Sequence, residues 1–438
     1  MTQTIDTLIH ASWIITVNAN NDILHDHSVV IKDGKIIDIL ATSDVNQTYS
    51  AKTEYQLPNH AITPGFINCH GHSPMTLLRG LADDLPLMDW LTNHIWPAES
   101  KWVSPDFVFT GSQIAIAEML RSGTTCFTDM YFFPEQTALA VEQAGIRAML
   151  GLILINFPSA YAQNEEDYLN KGLEMHDNLR HHSLIKTSFA PHAPYTVTDD
   201  GFKKLSMLAD ELDIPIQIHL HETEFEINES IKLHGNRPIT RLEKLGLLSP
   251  RIMASHMTQL TDDDIKLAAD NGINVIHCPE SNLKLASGYC PIQKLLDNNI
   301  TVALGTDGAA SNNDLDMLGE MQTAALLGKA VAQNAEAVSA EQILRSATID
   351  GAKALGMEDS IGSIETSKSA DLVAIDLNTI ETQPLYKPLS QIIYSSTREQ
   401  IKHVWVNGAH LLKDRELTTL DLSALLQSAK EWREKIHH

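Results

Sequence analysis

Positive charge is what this chain has least of. Its 438 residues carry 32 Lys and Arg against 56 Asp and Glu, a formal net charge of -24. A surface this acidic excludes sequence-blind nucleic-acid binding, which needs a basic footprint. It also argues against docking on anionic membranes. Cysteine is scarce as well. Cys69, Cys126, Cys278 and Cys290 are the only four, and no two form a C-x-x-C pair. Four in so long a chain make no disulfide framework, so a reducing, cytoplasmic setting is expected. No basic n-region precedes the apolar residues of Met1 to Asn20, and no signal peptide is expected there. The most apolar stretch, Ala148 to Phe157, includes Gly151 and Asn156. It falls far short of the ~20 residues of a membrane span. Neither G-x-G-x-x-G nor a P-loop occurs, which removes support for a nucleotide-binding fold. The chain ends in His437-His438, which reads equally as native or as a trimmed tag.

What is present is ordinary globular composition, 43% hydrophobic and 20% charged, which excludes wholesale disorder. A prior of roughly 150 residues per domain gives about three units. A large barrel alone takes about 250. The first sixty residues read as strands: Trp13 to Val17, His27 to Ile31, then Asp33-Gly34 as a hairpin turn into Lys35 to Leu40. The end has the same character in Ala370 to Ile375 and His403 to Val406, with Asn407-Gly408 as another turn. A small sheet domain built from both termini is expected, from residues 1–60 and 361–438, the latter with a terminal helix. Residues 61–360 alternate. Short apolar strands near 66–70, 124–129, 146–154, 185–190, 215–220, 251–255, 273–278 and 300–305 are separated by helical patterns. Eight such units fit a (β/α)8 TIM barrel; an open doubly wound sheet fits the same alternation. Ser339 to Gly356 reads as additional helix.

The polar residues fall at strand ends. His70 and His72 end the first strand of this middle unit, and His192 follows the fourth. His219, His221 and Glu222 end the fifth, His256 ends the sixth, and Asp307 follows the eighth. In a barrel all these points lie on the C-terminal rim, where catalytic groups belong. The i, i+2 spacing of His70 and His72 turns both imidazoles to one side of a strand, where they can share a metal. His219 is the natural third nitrogen ligand. His221 has the same facing and reads better as a packed or supporting histidine. Asp307 can add an oxygen, although Asp307-Gly308 is also an ordinary turn pair. Three His and one carboxylate suit one divalent metal, Zn2+ first, with Fe2+ or Mn2+ able to occupy the same set. A second metal would need a bridging group. Lys186, the lysine of the fourth strand, lies at the wrong end to be one. His277 ends the seventh strand with no role assigned.

Five segments then stand out in order: Pro64 to His72, Ala190 to Thr196, His219 to Glu222, Ser255-His256 and Gly305 to Asn312. As a set they resemble the amidohydrolase superfamily. Arg79 to Met88, Ile95 to Glu99 and Glu280 to Leu285 are similar to its 5-methylthioadenosine/S-adenosylhomocysteine deaminases, relatives of the triazine hydrolases. The resemblance covers nearly the whole chain. It implies the barrel with a terminal sandwich and the ligands His70, His72, His219 and Asp307. It implies Glu222 as the proton-transferring acid and His256 as the group that orients the attacking hydroxide. It further implies His192 as a substrate contact, Glu99 as the acceptor for the ribose hydroxyls, and a homo-oligomer.

One departure bears on the substrate. Some relatives read a homocysteine carboxylate with arginines after the third strand, whereas Gly151 to Ala160 holds no Arg or Lys. The expected reaction is therefore hydrolytic deamination of 5'-methylthioadenosine at C6, with S-adenosylhomocysteine and adenosine weaker. Leu85, Leu87, Met88 and Trp90 form an apolar cluster that reads either as cover for the thioether or as packing of its own segment. Alternatives are deamination of guanine or cytosine, triazine dechlorination, or an inactive binding scaffold. The last would predict a missing acid or ligand, and Glu222, His256 and Asp307 are all present.

Overall fold

The computed structural model describes residues 2–437. Met1, at the start of the segment read for a signal peptide, and His438, half of the terminal histidine pair, lie outside the described residues. The chain forms two eight-stranded sheets.

The central sheet is parallel, with strands in chain order: β5 (Phe66–Asn68), β6 (Thr124–Asp129), β7 (Arg147–Leu154), β8 (Ile185–Pro191), β9 (Ile216–Leu220), β10 (Ile252–His256), β11 (Asn274–His277) and β12 (Val302–Leu304). Every residue of these strands is buried except Lys186, near the start of β8. Parallel strands covered on both faces need such continuous apolar runs. The two ends of the sheet meet. Cys69 N–H donates to Leu304 O (2.9 Å), and Asp307 N–H to His70 O (3.0 Å). This closes the (β/α)8 barrel and seats His70 beside Asp307. Gly305 is required at that seam, because a Cβ there would lie 2.7 Å from His70 Cβ. Inside, Ile67, Cys69, Cys126, Met149, Met253, Ile276 and Ala303 form one apolar cluster, joined by Ala352, Leu355 and Met357. The extra helical region is two short helices, Ala340–Ser346 and Ile349–Ala354, broken at Thr348.

The second sheet joins the termini. The N-terminal part gives β1 (Gln3–Ile15), β2 (Ile23–Lys32), β3 (Lys35–Ala41) and β4 (Tyr49–Pro64). The C-terminal part gives β13 (Leu372–Asp376), β14 (Ile401–Val406), β15 (Ala409–Lys413) and β16 (Glu416–Leu417). The junction is β4, which runs parallel to β1 and antiparallel to β13. The sheet curls on itself. Val29, Ile31 and Ile36 share a core with Leu372 and Trp405, and Lys35 bridges to Ser369. The outer part of β4 is mostly exposed, and there Tyr49, Ala51, Tyr55 and Leu57 alternate with Ser50, Lys52, Glu54 and Gln56 as in a strand covered on one face.

A buried ion pair ties the terminal sheet to the barrel. Arg147, first residue of β7, donates through Nε to Asp371 Oδ2 (2.8 Å) and through Nη2 to Asp371 Oδ1 (3.1 Å) and Ser369 Oγ (3.0 Å). Asp371 also accepts from Asn407 N–H (2.7 Å) at the β14–β15 turn. Removing one partner strands the other's charge in the interior. Arg147→Met is expected to cost about 3–5 kcal/mol. An unchanged urea midpoint would show that this pair holds no stability.

Candidate active site and metal centre

The barrel's parallel strands deliver every polar strand-end residue to one rim. His70 and His72 follow β5, His192 follows β8, His219 lies in β9 with Glu222 just beyond, His256 ends β10, and Asp307 follows β12. The backbone is strained where it makes this rim: His221 (φ 54°), His256 (φ 76°), Met257 (φ 48°) and Asp307 (φ 63°) are all left-handed. Non-glycine residues in that region cost of order 1–3 kcal/mol each and gather where function requires them.

His70, His72, His219 and Asp307 converge until their ligand atoms all lie within 4.8 Å of one another. His72 Nε2 is 3.2 Å and His70 Nε2 3.5 Å from Asp307 Oδ1. His72 Nε2 and His219 Nε2 face each other at 3.3 Å. Their other nitrogens fix the tautomers. His72 Nδ1–H donates to Met130 O (2.7 Å) and His219 Nδ1–H to His192 O (2.7 Å). Both Nε2 atoms therefore face one space, where a proton or a metal cation between them relieves the repulsion of their lone pairs. His70 is fully buried, and neither of its ring nitrogens has a hydrogen-bond partner. An orphaned polar atom costs about 1–3 kcal/mol in a dry interior. Burial lowers the His70 pKa to about 4, against the pull of Asp307, and burial with the neighbouring histidines holds His219 far below its ordinary value. Against its burial, Asp307 and the Met130 carbonyl raise the His72 pKa to about 9, and a bound metal would displace that proton. Three imidazoles around a carboxylate are the donor set a divalent metal needs, so these four residues fit one.

Asp307 is itself held. Ser281 Oγ (2.6 Å) and Ser311 Oγ (2.8 Å) donate to its Oδ2, which leaves Oδ1 to face the histidines. Glu222 is buried, and burial raises its pKa. Its backbone is fixed by Glu226, whose carboxylate accepts the N–H groups of His221 (3.0 Å) and Glu222 (2.8 Å). His256 Nε2 lies 3.9 Å from Glu222 Oε2, and its Nδ1 lies 2.9 Å from Asn282 Oδ1.

These groups line a cavity of about 590 Å3. His72, His192, His219, Glu222, His256 and Asp307 contribute to its wall, and so does Glu99. The remainder is largely apolar, from Leu87, Trp90, Leu91, Ile95 and Trp96 after β5 and from Ile153, Phe157 and Pro158 near the end of β7. Leu85 and Met88 do not line it, so half of the expected apolar cluster faces the substrate space. No Lys or Arg lines the cavity. Glu99, on the helix Trp96–Trp102, accepts from Tyr131 Oη–H (2.6 Å), and burial pushes its pKa up to about 7. His192 rests on Thr196 Oγ1 (3.2 Å), and burial lowers its pKa to about 3. The segment carrying Glu99 is braced by the terminal helix Leu422–His437. Its Trp432 packs edge-on against Phe107 and shares a core with Leu87, Trp90 and Ile95.

Two histidines stand apart. His221 points away from the metal group: its Nδ1–H donates to Gln259 O (3.0 Å), and its Nε2 accepts from Ile239 N–H (3.1 Å). His277 is buried with both nitrogens unpartnered and does not line the cavity. The sequence reading gave no role to Tyr131, Glu226, Ser281, Asn282 or Ser311. The last three lie in segments quoted for their resemblance, which was the available signal.

Comparison with known proteins agrees with this geometry. Residues 61–411 match the model of the amidohydrolase family. A 5-methylthioadenosine/S-adenosylhomocysteine deaminase from Teredinibacter turnerae is 49% identical over 99% of this chain and 98% of its own. One from Saccharophagus degradans is 47% identical over 98% and 97%. The crystal structure of an adenosine deaminase from Xanthomonas campestris with bound zinc superposes with a TM-score of 0.98, at 48% identity and full coverage of both chains. With the family model spanning the barrel and relatives nearly half identical from end to end, the chain belongs to the amidohydrolase family.

Proposed function

We propose that this site hydrolyses the 6-amino group of an adenosine derivative with an uncharged 5' substituent, 5'-methylthioadenosine before S-adenosylhomocysteine. One observation carries the reading. A single cavity joins the metal-fitting group and Glu222 to Glu99, across apolar walls that hold no cation. The names of the curated relatives and the zinc of the Xanthomonas neighbour support it.

His70, His72, His219 and Asp307 would hold the divalent metal, zinc first. Bound there, it would bring a water's pKa from 15.7 down to about 7. Asp307 Oδ1 is the acceptor for that water's proton. His256 holds the water in line with C6 through Nε2. Glu222, whose pKa is raised by burial, gives its proton to ring N1 as the C6–O bond forms. Asp307 passes the water's proton to the exocyclic amine, the C6–N bond breaks and ammonia leaves, and the C6 hydroxyl returns its proton to Glu222 as the carbonyl forms. Glu99 accepts the ribose hydroxyls, with Tyr131 holding its other oxygen, and His192 contacts the base. A carboxylate on the 5' side would meet Glu99 and no Lys or Arg, which disfavours the homocysteine derivative. The four cysteines, all free and buried, support a reducing, cytoplasmic setting.

Ammonia release from zinc-loaded protein, with chloride release read for the triazine, tests the reading directly. The panel is methylthioadenosine, S-adenosylhomocysteine, adenosine, adenine, guanine, cytosine and a chlorotriazine. Methylthioadenosine should lead and S-adenosylhomocysteine should trail; turnover confined to guanine, cytosine or the triazine would overturn it. Glu222→Gln should retain its metal and lose about 10²–10⁴ in kcat. Near-normal turnover would remove Glu222 from the mechanism. Glu99→Ala should lower kcat/KM for nucleosides roughly 10- to 100-fold while sparing free adenine. An equal loss on both would refute a ribose contact.

A further inference from the structure

Ser281 and Asn282 are adjacent in sequence, and they hold the two groups that flank the attacking water. We propose that both are positioning residues for the deamination, Asn282 by fixing the tautomer and ring orientation of His256. The inference rests on the mechanism above.

Both sit on the short helix Pro279–Lys284 directly after β11, and both are buried. Ser281 reaches forward to Asp307 Oδ2 (2.6 Å). Asn282 reaches back, with Oδ1 2.9 Å from His256 Nδ1. An amide oxygen only accepts, so Nδ1 carries the hydrogen. In the neutral ring Nε2 is then left with its lone pair. Nε2 is the nitrogen on the Glu222 side, 3.9 Å from Oε2. A ring in this state accepts a hydrogen bond from the water and leaves the water's own lone pair free for C6. The reverse tautomer would donate into that lone pair and blunt the attack.

Packing alone does not choose between these states. His256 stacks on His219, with ring centroids 5.4 Å apart and planes 18° apart. A half-turn of the ring about Cβ–Cγ exchanges Nδ1 with Cδ2 and Nε2 with Cε1 and keeps the stack. Asn282 breaks that symmetry, because its Oδ1 is the atom turned to Nδ1. The pair thus couples two rim strands to one anchor: loss of Asn282 frees His256, and loss of Ser281 leaves Asp307 with one serine.

The test compares Asn282→Leu, Asn282→Asp, His256→Ala and the double variant His256→Ala/Asn282→Leu, all zinc-loaded. Asn282→Leu should lower kcat for methylthioadenosine ~100-fold with KM and zinc content near wild type. Asn282→Asp keeps the acceptor and should recover to within about 10-fold of wild type. In the His256→Ala background Asn282→Leu should add nothing, since the two act as one unit. If leucine prevents folding, Asn282→Ala replaces it. An independent readout is 15N NMR of labelled histidines, with the His256 signal assigned by its loss in His256→Ala. The hydrogen should sit on Nδ1 in wild type and Asn282→Asp, and lose that preference in Asn282→Leu. Asn282→Leu within threefold of wild type would overturn the proposal. So would a full additive loss on top of His256→Ala, or a wild-type hydrogen on Nε2. If wild-type protein deaminates no adenosine compound, the proposed function fails, and the NMR tautomer still decides the role of Asn282.

Discussion

Three imidazoles and one carboxylate meet at a single buried point, and the rest of the rim is arranged around that constraint. Nitrogen lone pairs brought to 3.3 Å repel. The fold holds them there because two of the rings and the carboxylate are gripped from behind. Met130 O and His192 O take the Nδ1–H groups of His72 and His219, and two serine hydroxyls take the rear oxygen of Asp307. These contacts settle which atoms face inward before any ligand arrives. A cation entering such a set finds its donors oriented and displaces the proton that Asp307 favours on His72.

Barrel closure makes this meeting possible. His70 and Asp307 are far apart in the chain, yet the seam between β5 and β12 puts Asp307 N–H on His70 O. The seam tolerates no side chain at Gly305. Left-handed backbone occurs at His256 and Asp307, whose side chains line the cavity, and at His221, whose ring turns away from it. Arg147 and Asp371 lock the terminal sheet to β7.

The cavity's character comes from elements outside the barrel strands. The segment after β5 supplies Glu99 and an apolar wall, and the terminal helix braces that segment through Trp432. Net charge says little about such a space, because a pocket has its own local field. Here the local and global signs agree. The acids Glu99, Glu222 and Asp307 face in, and no cation accompanies them. A neutral nucleoside is compatible with this lining.

The eight barrel strands were legible because burial on both faces demands unbroken apolar runs. The metal group was legible because His and Asp stand out at the ends of such runs. The outer half of β4 carries the alternation of a strand covered on one face, and its partners β1 and β13 are set by the fold. Ser281 and Asn282 were legible only through the resemblance of Glu280 to Leu285, because each acts on a group 26 residues away. By itself the sequence determined the alternation, the ligand types and the want of a cation after the third strand, all of which are local facts of composition and spacing. Only the tertiary structure decided which nitrogens face inward, that His221 turns away, and which oxygens hold Asp307 and His256. Those are hydrogen bonds between segments that only the closed barrel brings together.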